Sequence, residues 1–420
     1  MNYPAQIFDY SQYLFQTTGF NDHQLHCVIK YKDKINVLFL KKAIDLLLQT
    51  VPVLTWVYVN RGGRSYWKAG DPAEWKDIFT IVFKETEFEQ FTFSKTDEKT
   101  GPQIKVCLLQ ARQDSVSIIM NHMVTDGGGF KQCLYLLSDL YSNLIINPQY
   151  IPDTILDGDR SFQKITREIC FPDKIKILLR NRKENNRRGN DKFPMSKEED
   201  TAPFILKHTI LRECYQKIRN YCEKNKVTMN DVLFTAYIRV LKRMVNSNGK
   251  AMGIPIMIDM RRYLDDKSFH SLTNLTSMVM ITVGVSPEED FQSTLAKVHS
   301  KMISKKDHYL GMNSFLKLDF LFRVFQPDKS YQILERSLKS PYICMTNIGI
   351  IDETKLYFKN CTIDNVFVCG SIKYRPHFQM AVSTYSEKIT ITVNLYGSKE
   401  DQDNIYRFFR LMDKELKNLE

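Results

Sequence analysis

The sequence predicts a mixed α/β protein of the α+β type, built as two lobes. Three observations predict it. The chain has 420 residues, more than a single hydrophobic core comfortably serves. Strand-like and helix-like stretches mix in both halves, without the regular β-α-β alternation that would suggest a barrel. Between the halves, prolines and charges rise over residues 151–200, which separates an N-terminal lobe (1–150) from a C-terminal lobe (201–420).

Composition narrows the class. Apolar residues make up 43% and charged residues 25%, the balance of a soluble globular chain and not of a disordered or fibrous one. Met1–Gln6 has neither the basic start nor the apolar run of a secretory signal. The longest apolar candidate, 35–54, is broken by Lys41, Lys42, Asp45 and Pro52, so no segment reaches spanning length. Nine cysteines form no C-x-x-C pair and are odd in number. That pattern predicts reduced thiols, a cytoplasmic protein and no zinc site. No histidine pair has metal-ligand spacing, so no metal is expected. The net charge of +11 favours polyanionic partners without choosing among them.

Element by element, Tyr10–Tyr31 alternates loosely and reads as strand with turns. Val37–Thr50 carries Leu40, Ala43, Ile44, Leu47 and Leu48 at helical spacing, with Asn36 as N-cap and Pro52 as the stop. Val53–Asn60 reads as a strand, Arg61–Arg64 as a turn, and Ser65–Lys68 as the next strand. Ile104–Leu109 and Val116–Met120 are two strands about the turn at Gln113–Asp114. Gly129–Leu144 is an amphipathic helix with Phe130, Cys133, Leu134, Leu137, Leu140 and Tyr141 on one face. In the connector, Lys174–Arg188 holds seven basic residues against one acid and a short apolar stripe of Ile175, Leu178 and Leu179. It reads as a solvated helix and linker, or as a basic surface for a phosphate group or acidic protein.

The second half repeats the grammar. Phe204–Leu211 is a strand and Arg212–Asn225 a helix. Thr228–Val245 is a longer buried helix, with Thr228 and Asp231 at capping-box spacing. Ala251–Met260 and Asn274–Val285 are strands, and Phe291–Ser304 a helix. Ile343–Thr346, Cys361–Val368, Gln379–Thr384 and Thr390–Tyr396 are strands. Asp401–Leu416 closes the chain as a helix capped by Ser398.

One stretch carries chemistry. In Ser117–Gly129 a histidine, His122, directly follows an apolar strand, Asp126 stands four residues on, and Gly127, Gly128 and Gly129 come next. An imidazole gives and takes protons near neutral pH. Glycines permit close approach by other parts of the chain. The spacing reads as a general base on a rigid turn with an acid beside it. A structural reading stands next to it, with His122 a satisfied strand-end residue and Asp126 the cap of the following helix. No Gly-Lys-Ser/Thr and no G-x-G-x-x-G is present, which argues against a phosphate loop.

With these residues in place, the chain resembles the CoA-dependent acyltransferase superfamily. That group spans chloramphenicol acetyltransferase, peptide-synthetase condensation domains, alcohol acetyltransferases and polyketide-associated acyltransferases. Its H-x-x-x-D-G signature reads here as His122 to Gly127. Asn36 to Tyr58, Gly101–Val106, Thr228–Leu233, Ile254–Arg261 and Thr346–Gly349 resemble further family segments in the same order. Asn121 replaces the first histidine of the double-histidine form, and no Asp-Phe-Gly-Trp-Gly occurs.

The resemblance implies two chloramphenicol-acetyltransferase-like lobes with a tunnel between them and His122 in its middle. It implies transfer of an acyl group from a thioester, on coenzyme A or on the phosphopantetheine of an acidic acyl-carrier protein, to an alcohol or amine. His122 would be the general base, with no covalent acyl-enzyme and no permanently bound cofactor. Asp126 would pair with an arginine of the second lobe, Arg261 or else Arg262, and Gly127 would complete the turn. Asn347 would shape the tunnel or meet the oxyanion. Lys174, Lys176, Arg180, Arg182 and Lys183 would meet phosphate or carrier, and His377 reads as structural. Alternatives are a free-standing condensation enzyme using carrier-bound substrates, and an inactive binding relic of the fold. A monomer is expected, and nucleic-acid binding is not, because none of its common motifs occurs.

Overall fold

The computed structural model describes residues 2–419 except 62–63, 73–74, 76–77, 168, 181–190, 246–250, 267, 287 and 307–308. The first half runs β1 (Asn2–Pro4), α1 (Ile7–Thr17), β2 (Gln24–Tyr31), α2 (Val37–Thr50), β3 (Trp56–Val59), β4 (Tyr66–Ala69), β5 (Phe79–Val82), α3 (Glu85–Thr92), β6 (Ile104–Leu109), β7 (Ser115–Asn121) and α4 (Gly127–Ile146). Two short helices, α5 (Gln163–Arg167) and α6 (Phe171–Arg180), lie in the connector. The second half opens with β8 (Ala202–Ile210), α7 (Arg212–Asn225), α8 (Met229–Met244), β9 (Met252–Asp259) and β10 (Thr276–Val283). Three helices follow, α9 (Phe291–Lys306), α10 (Met312–Val324) and α11 (Pro327–Ser337). The chain ends with β11 (Ile343–Ile350), β12 (Ile363–Cys369), β13 (Lys373–Tyr374), β14 (Phe378–Tyr385), β15 (Lys388–Gly397) and α12 (Lys399–Lys417).

Local chemistry accounts for the best-defined ends. Asn36 accepts from the Phe39 amide and starts α2. Thr228 with Asp231, and Ser398 with Asp401, form reciprocal capping boxes on α8 and α12. Each such cap stabilises its helix by about 1 kcal/mol.

Two sheets dominate. A five-stranded sheet has the order β12-β2-β7-β6-β5, and a seven-stranded sheet the order β10-β9-β11-β14-β15-β13 with β8 paired to β15. Helices α2 and α4 cover one face of the first sheet, where Leu40, Leu47, Ile118, Met120, Phe130 and Leu137 share one buried cluster. Helices α8 and α12 pack on the second, through Phe234, Tyr237, Phe408 and Met412. The halves are stitched together, because β12 from the C-terminal half pairs antiparallel with β2, Val366 opposite Ile29. An edge strand left open would expose a row of backbone donors and acceptors.

Three expectations differ from the structure. Tyr10–Thr17 belongs to α1, not a strand. Ile7, Tyr10, Ser11 and Leu14 are its buried face, and the aromatics Tyr13 and Phe15 gave the stretch its misleading alternation. Pro52 does not only end α2. It starts a 3-10 turn, Pro52–Thr55, ahead of β3. Helices α10 and α11, β5 and α3 were not foreseen. The turn expected at Arg61–Arg64 lies partly outside the described residues. All nine cysteines are unpaired.

Candidate functional site

His122 sits at the end of β7, a strand buried along its whole length between β2 and β6. The His122 amide donates to the His23 carbonyl at 2.7 Å, which fixes the turn to the neighbouring strand entry. From the C-terminal half, Asn274 Nδ2 donates to the carbonyls of His122 (2.8 Å) and Met123 (3.2 Å). Asn121, where a second histidine stands in other members of the resembled group, is committed to structure. Its Nδ2 donates to Gln103 Oε1 and its Oδ1 accepts from the Met123 amide.

The His122 ring is only partly shielded from water. Its Nδ1 is buried without a protein partner, whereas Nε2 makes no protein hydrogen bond and keeps accessible surface. Burial pulls the ring's pKa below that of ordinary histidine. The Asp126 charge opposes this, and the Lys373 ammonium adds to it. A base kept neutral in this way can accept a proton at physiological pH.

Asp126 is the anchor of the turn. Its Oδ1 caps α4 by accepting from the Gly129 amide at 2.9 Å. Its Oδ2 accepts from the Leu275 amide (2.5 Å) and Thr276 Oγ1 (3.0 Å). Arg261 Nη1 stands 2.8 Å from Oδ1. Burial pushes this carboxyl up, but the Arg261 guanidinium and the amides of Gly129 and Leu275 outweigh it and hold it below the usual carboxylate range. Arg261 in turn donates to the Thr273 carbonyl at 2.7 Å and to Asp259 at 3.1 Å. Of the two arginines considered, Arg262 instead lies over the Tyr263 ring.

The glycines serve close approach. A Cβ on Gly128 would stand 2.7 Å from Asp259 Oδ2 and 2.8 Å from Arg261 Nη1, and one on Gly129 would meet Thr125 Oγ1 at 2.2 Å. Gly128→Ala is therefore expected to displace the guanidinium and cost about 1–3 kcal/mol of stability. Chemical denaturation checks this, and an unchanged midpoint would show that the neighbours yield freely. Gly127 faces Ile348, whose Cδ1 would lie 2.6 Å from an added Cβ.

Two cations escaped the sequence reading. Arg160, in the connector, donates to Asp9 (3.0 and 3.1 Å), to the Leu272 carbonyl (2.7 Å) and to the Val124 carbonyl inside the histidine turn (3.2 Å). Its only sequence signal is a lone arginine after Asp157–Asp159. Lys373 of β13 bridges to Asn21, two residues before His23. Burial lowers its own pKa as well. Removing that charge as Lys373→Met should raise the His122 pKa. The acid limb of the pH–rate profile then moves to higher pH, and a limb that stays put or moves lower would deny Lys373 this influence.

The remaining expected residues fall as follows. Asn347 accepts from the Gly349 amide at 2.8 Å and donates to Asn230 at 3.2 Å. Its donor is committed to the β11 bulge, so the structure does not offer it to an oxyanion. His377 is buried with Nδ1 3.2 Å from the Tyr374 carbonyl. Lys174 and Lys176 lie on α6, with Lys176 paired to Asp173 at 3.1 Å. Arg182 and Lys183 are outside the described residues, as is the side chain of Arg180. A cleft of 1060 Å³ opens where α4 meets the C-terminal half, lined by Gly128, Lys131, Lys164, Arg261, Arg262 and Asp352 among others. Neither His122 nor the α6 lysines line it. Among the described residues no group of three His, Cys, Asp or Glu could hold a metal ion, and no helix is long and apolar enough to cross a membrane.

Residues 272–420 match the WS/DGAT C-terminal domain family. No curated protein matches the chain. Solved structures match over the whole length. Polyketide synthase associated protein 5 from Mycobacterium tuberculosis superposes with a TM-score of 0.69 at 14% identity, covering 98% of each chain. A trichothecene 15-O-acetyltransferase from Fusarium sporotrichioides gives 0.68 at 11% identity, over 99% of this chain and 95% of that one. A variant starter condensation domain of rhizomide synthetase, in complex with C8-CoA, gives 0.67 at 11%, over 100% and 96%. At such identities the likeness is one of fold, and it is the two-lobed fold that the sequence resemblance implied.

Proposed function

We propose that this chain, which shares the fold of the CoA-dependent acyltransferases and carries a WS/DGAT C-terminal domain over residues 272–420, transfers an acyl group from a thioester to a hydroxyl or amine. The observation that carries the reading is His122. It is a strand-end imidazole with a depressed pKa and one ring nitrogen open to water, on a turn fastened from the opposite half by Arg261, Asn274 and the Leu275 amide.

The mechanism follows from that placement. Nε2 takes the proton of the acceptor as its oxygen or nitrogen attacks the thioester carbonyl. The tetrahedral intermediate collapses by breaking the C–S bond, and the thiol leaves with the proton that His122 returns. A thiolate is a fair leaving group, so holding the two substrates at one imidazole supplies much of the acceleration. Asp126 does not touch substrate in this scheme. It positions the turn through Arg261 and the cap of α4.

A coenzyme A or acyl-carrier donor fits the reading equally, and the C8-CoA complex of a neighbour of the same fold supports the first. The test is to mix the purified protein with acyl-CoA of several chain lengths and with alcohols or amines, following free thiol and product by mass. Acceptor-dependent thiol release matched by ester or amide supports the reading. Release only from acyl-carrier protein selects the condensation form, and no release from any thioester overturns it.

A further inference from the structure

Helix α6 is amphipathic in an unusual sense, because both of its faces are apolar. Ile177 turns inward and joins a buried cluster with Phe315 and Leu316 of α10. On the other side Phe171 (73% exposed), Ile175 (42%) and Leu179 (58%) recur every four residues. At about 100° per residue they form one stripe centred opposite Ile177, with Lys174 and Lys176 on its two flanks. The neighbouring helix α10, which packs against α6, leaves Phe320 and Val324 more than half exposed. An apolar surface of this extent on consecutive helices is an interaction site by default.

Charge selects the partner. Residues 174–188 hold seven basic side chains against one acid, and residues 181–190 contain no apolar side chain that could serve as a cover. A second copy of the chain docked by a two-fold axis would bring the same basic flanks together. The stripe is convex and offers no groove for a peptide. An apolar ridge bordered by lysines matches a helix lying in the headgroup region of an anionic bilayer, its apolar side chains among the acyl chains and its ammonium groups at the phosphates.

We propose that the outer faces of α6 and α10 dock the protein onto an anionic membrane surface, without crossing it. This stands apart from the acyl-transfer reading and does not depend on it. The basic connector then serves lipid headgroups, and not the phosphates of a donor.

The test is co-sedimentation of the full chain with vesicles of phosphatidylcholine alone and of phosphatidylcholine mixed with phosphatidylglycerol. Binding to the mixed vesicles is expected, falling as salt is raised. Phe171→Ser/Ile175→Ser/Leu179→Ser should bind at least about a hundredfold more weakly, since three apolar side chains no longer leave water. Lys174→Glu/Lys176→Glu should lose the preference for the anionic vesicles. Far-UV circular dichroism checks that the variants are folded. The proposal is overturned if the folded wild type ignores mixed vesicles, or if the serine variant binds them as well as wild type. It is equally overturned if the wild type stays off vesicles but self-associates in a way the serine variant abolishes, which would make a second copy the occupant.

Discussion

His122→Ala should lower acceptor-dependent thiol release by about two to four orders of magnitude, the usual contribution of a positioned general base. The fold should survive. The ring makes no protein hydrogen bond, and the turn is held by main-chain and neighbouring groups, from the His23 carbonyl to Asn274. The measurement is kcat/KM beside a denaturation curve. Loss of rate with an unchanged midpoint is the expected pair. Wild-type turnover would remove His122 from the mechanism, and a collapsed midpoint would recast it as a structural residue.

Asp126→Ala should do the reverse and damage the molecule before the chemistry. Its carboxylate receives the Arg261 guanidinium, two backbone amides and the Thr276 hydroxyl, all but sealed from water. Removing it strands a guanidinium that is only 14% exposed. Breaking one partner out of a buried pair costs about 3–5 kcal/mol. The same pair gives a pH dependence. The folded-state pKa of Asp126 is depressed, so its stabilisation is present above the pKa of an unfolded aspartate and is lost as pH falls through the folded value. Denaturation midpoints of wild type should thus drop in acid more steeply than those of Asp126→Ala. Parallel curves would mean that this carboxylate is not linked to folding.

Much of the frame could be read from the chain because it is local. Helix α2 follows from Asn36, apolar spacing and Pro52, and α8 and α12 from their caps. Asp126 was legible as a cap, and the cap geometry is there. What the chain could not announce is whatever depends on distant residues. Leu275 contributes a bare amide, which no side-chain pattern marks. Arg160 reaches Val124 and Leu272 from a stretch that reads as linker. Strand β12 leaves its own half to complete the first sheet, a choice made by the open edge of β2 and not by its own sequence. Lys373 lies in a run of apolar and aromatic residues with nothing to set it apart, and only the fold brings it within electrostatic reach of His122.

The central claim is direct transfer between two substrates at one imidazole. The most direct measurement is rapid mixing of the protein with an acyl thioester in the absence of acceptor, following free thiol and the intact mass of the protein, and then adding acceptor. The mechanism predicts no burst of thiol and no added acyl mass until the acceptor arrives. A stoichiometric burst with an acylated protein would contradict it and place a nucleophilic side chain where His122 is assigned the work.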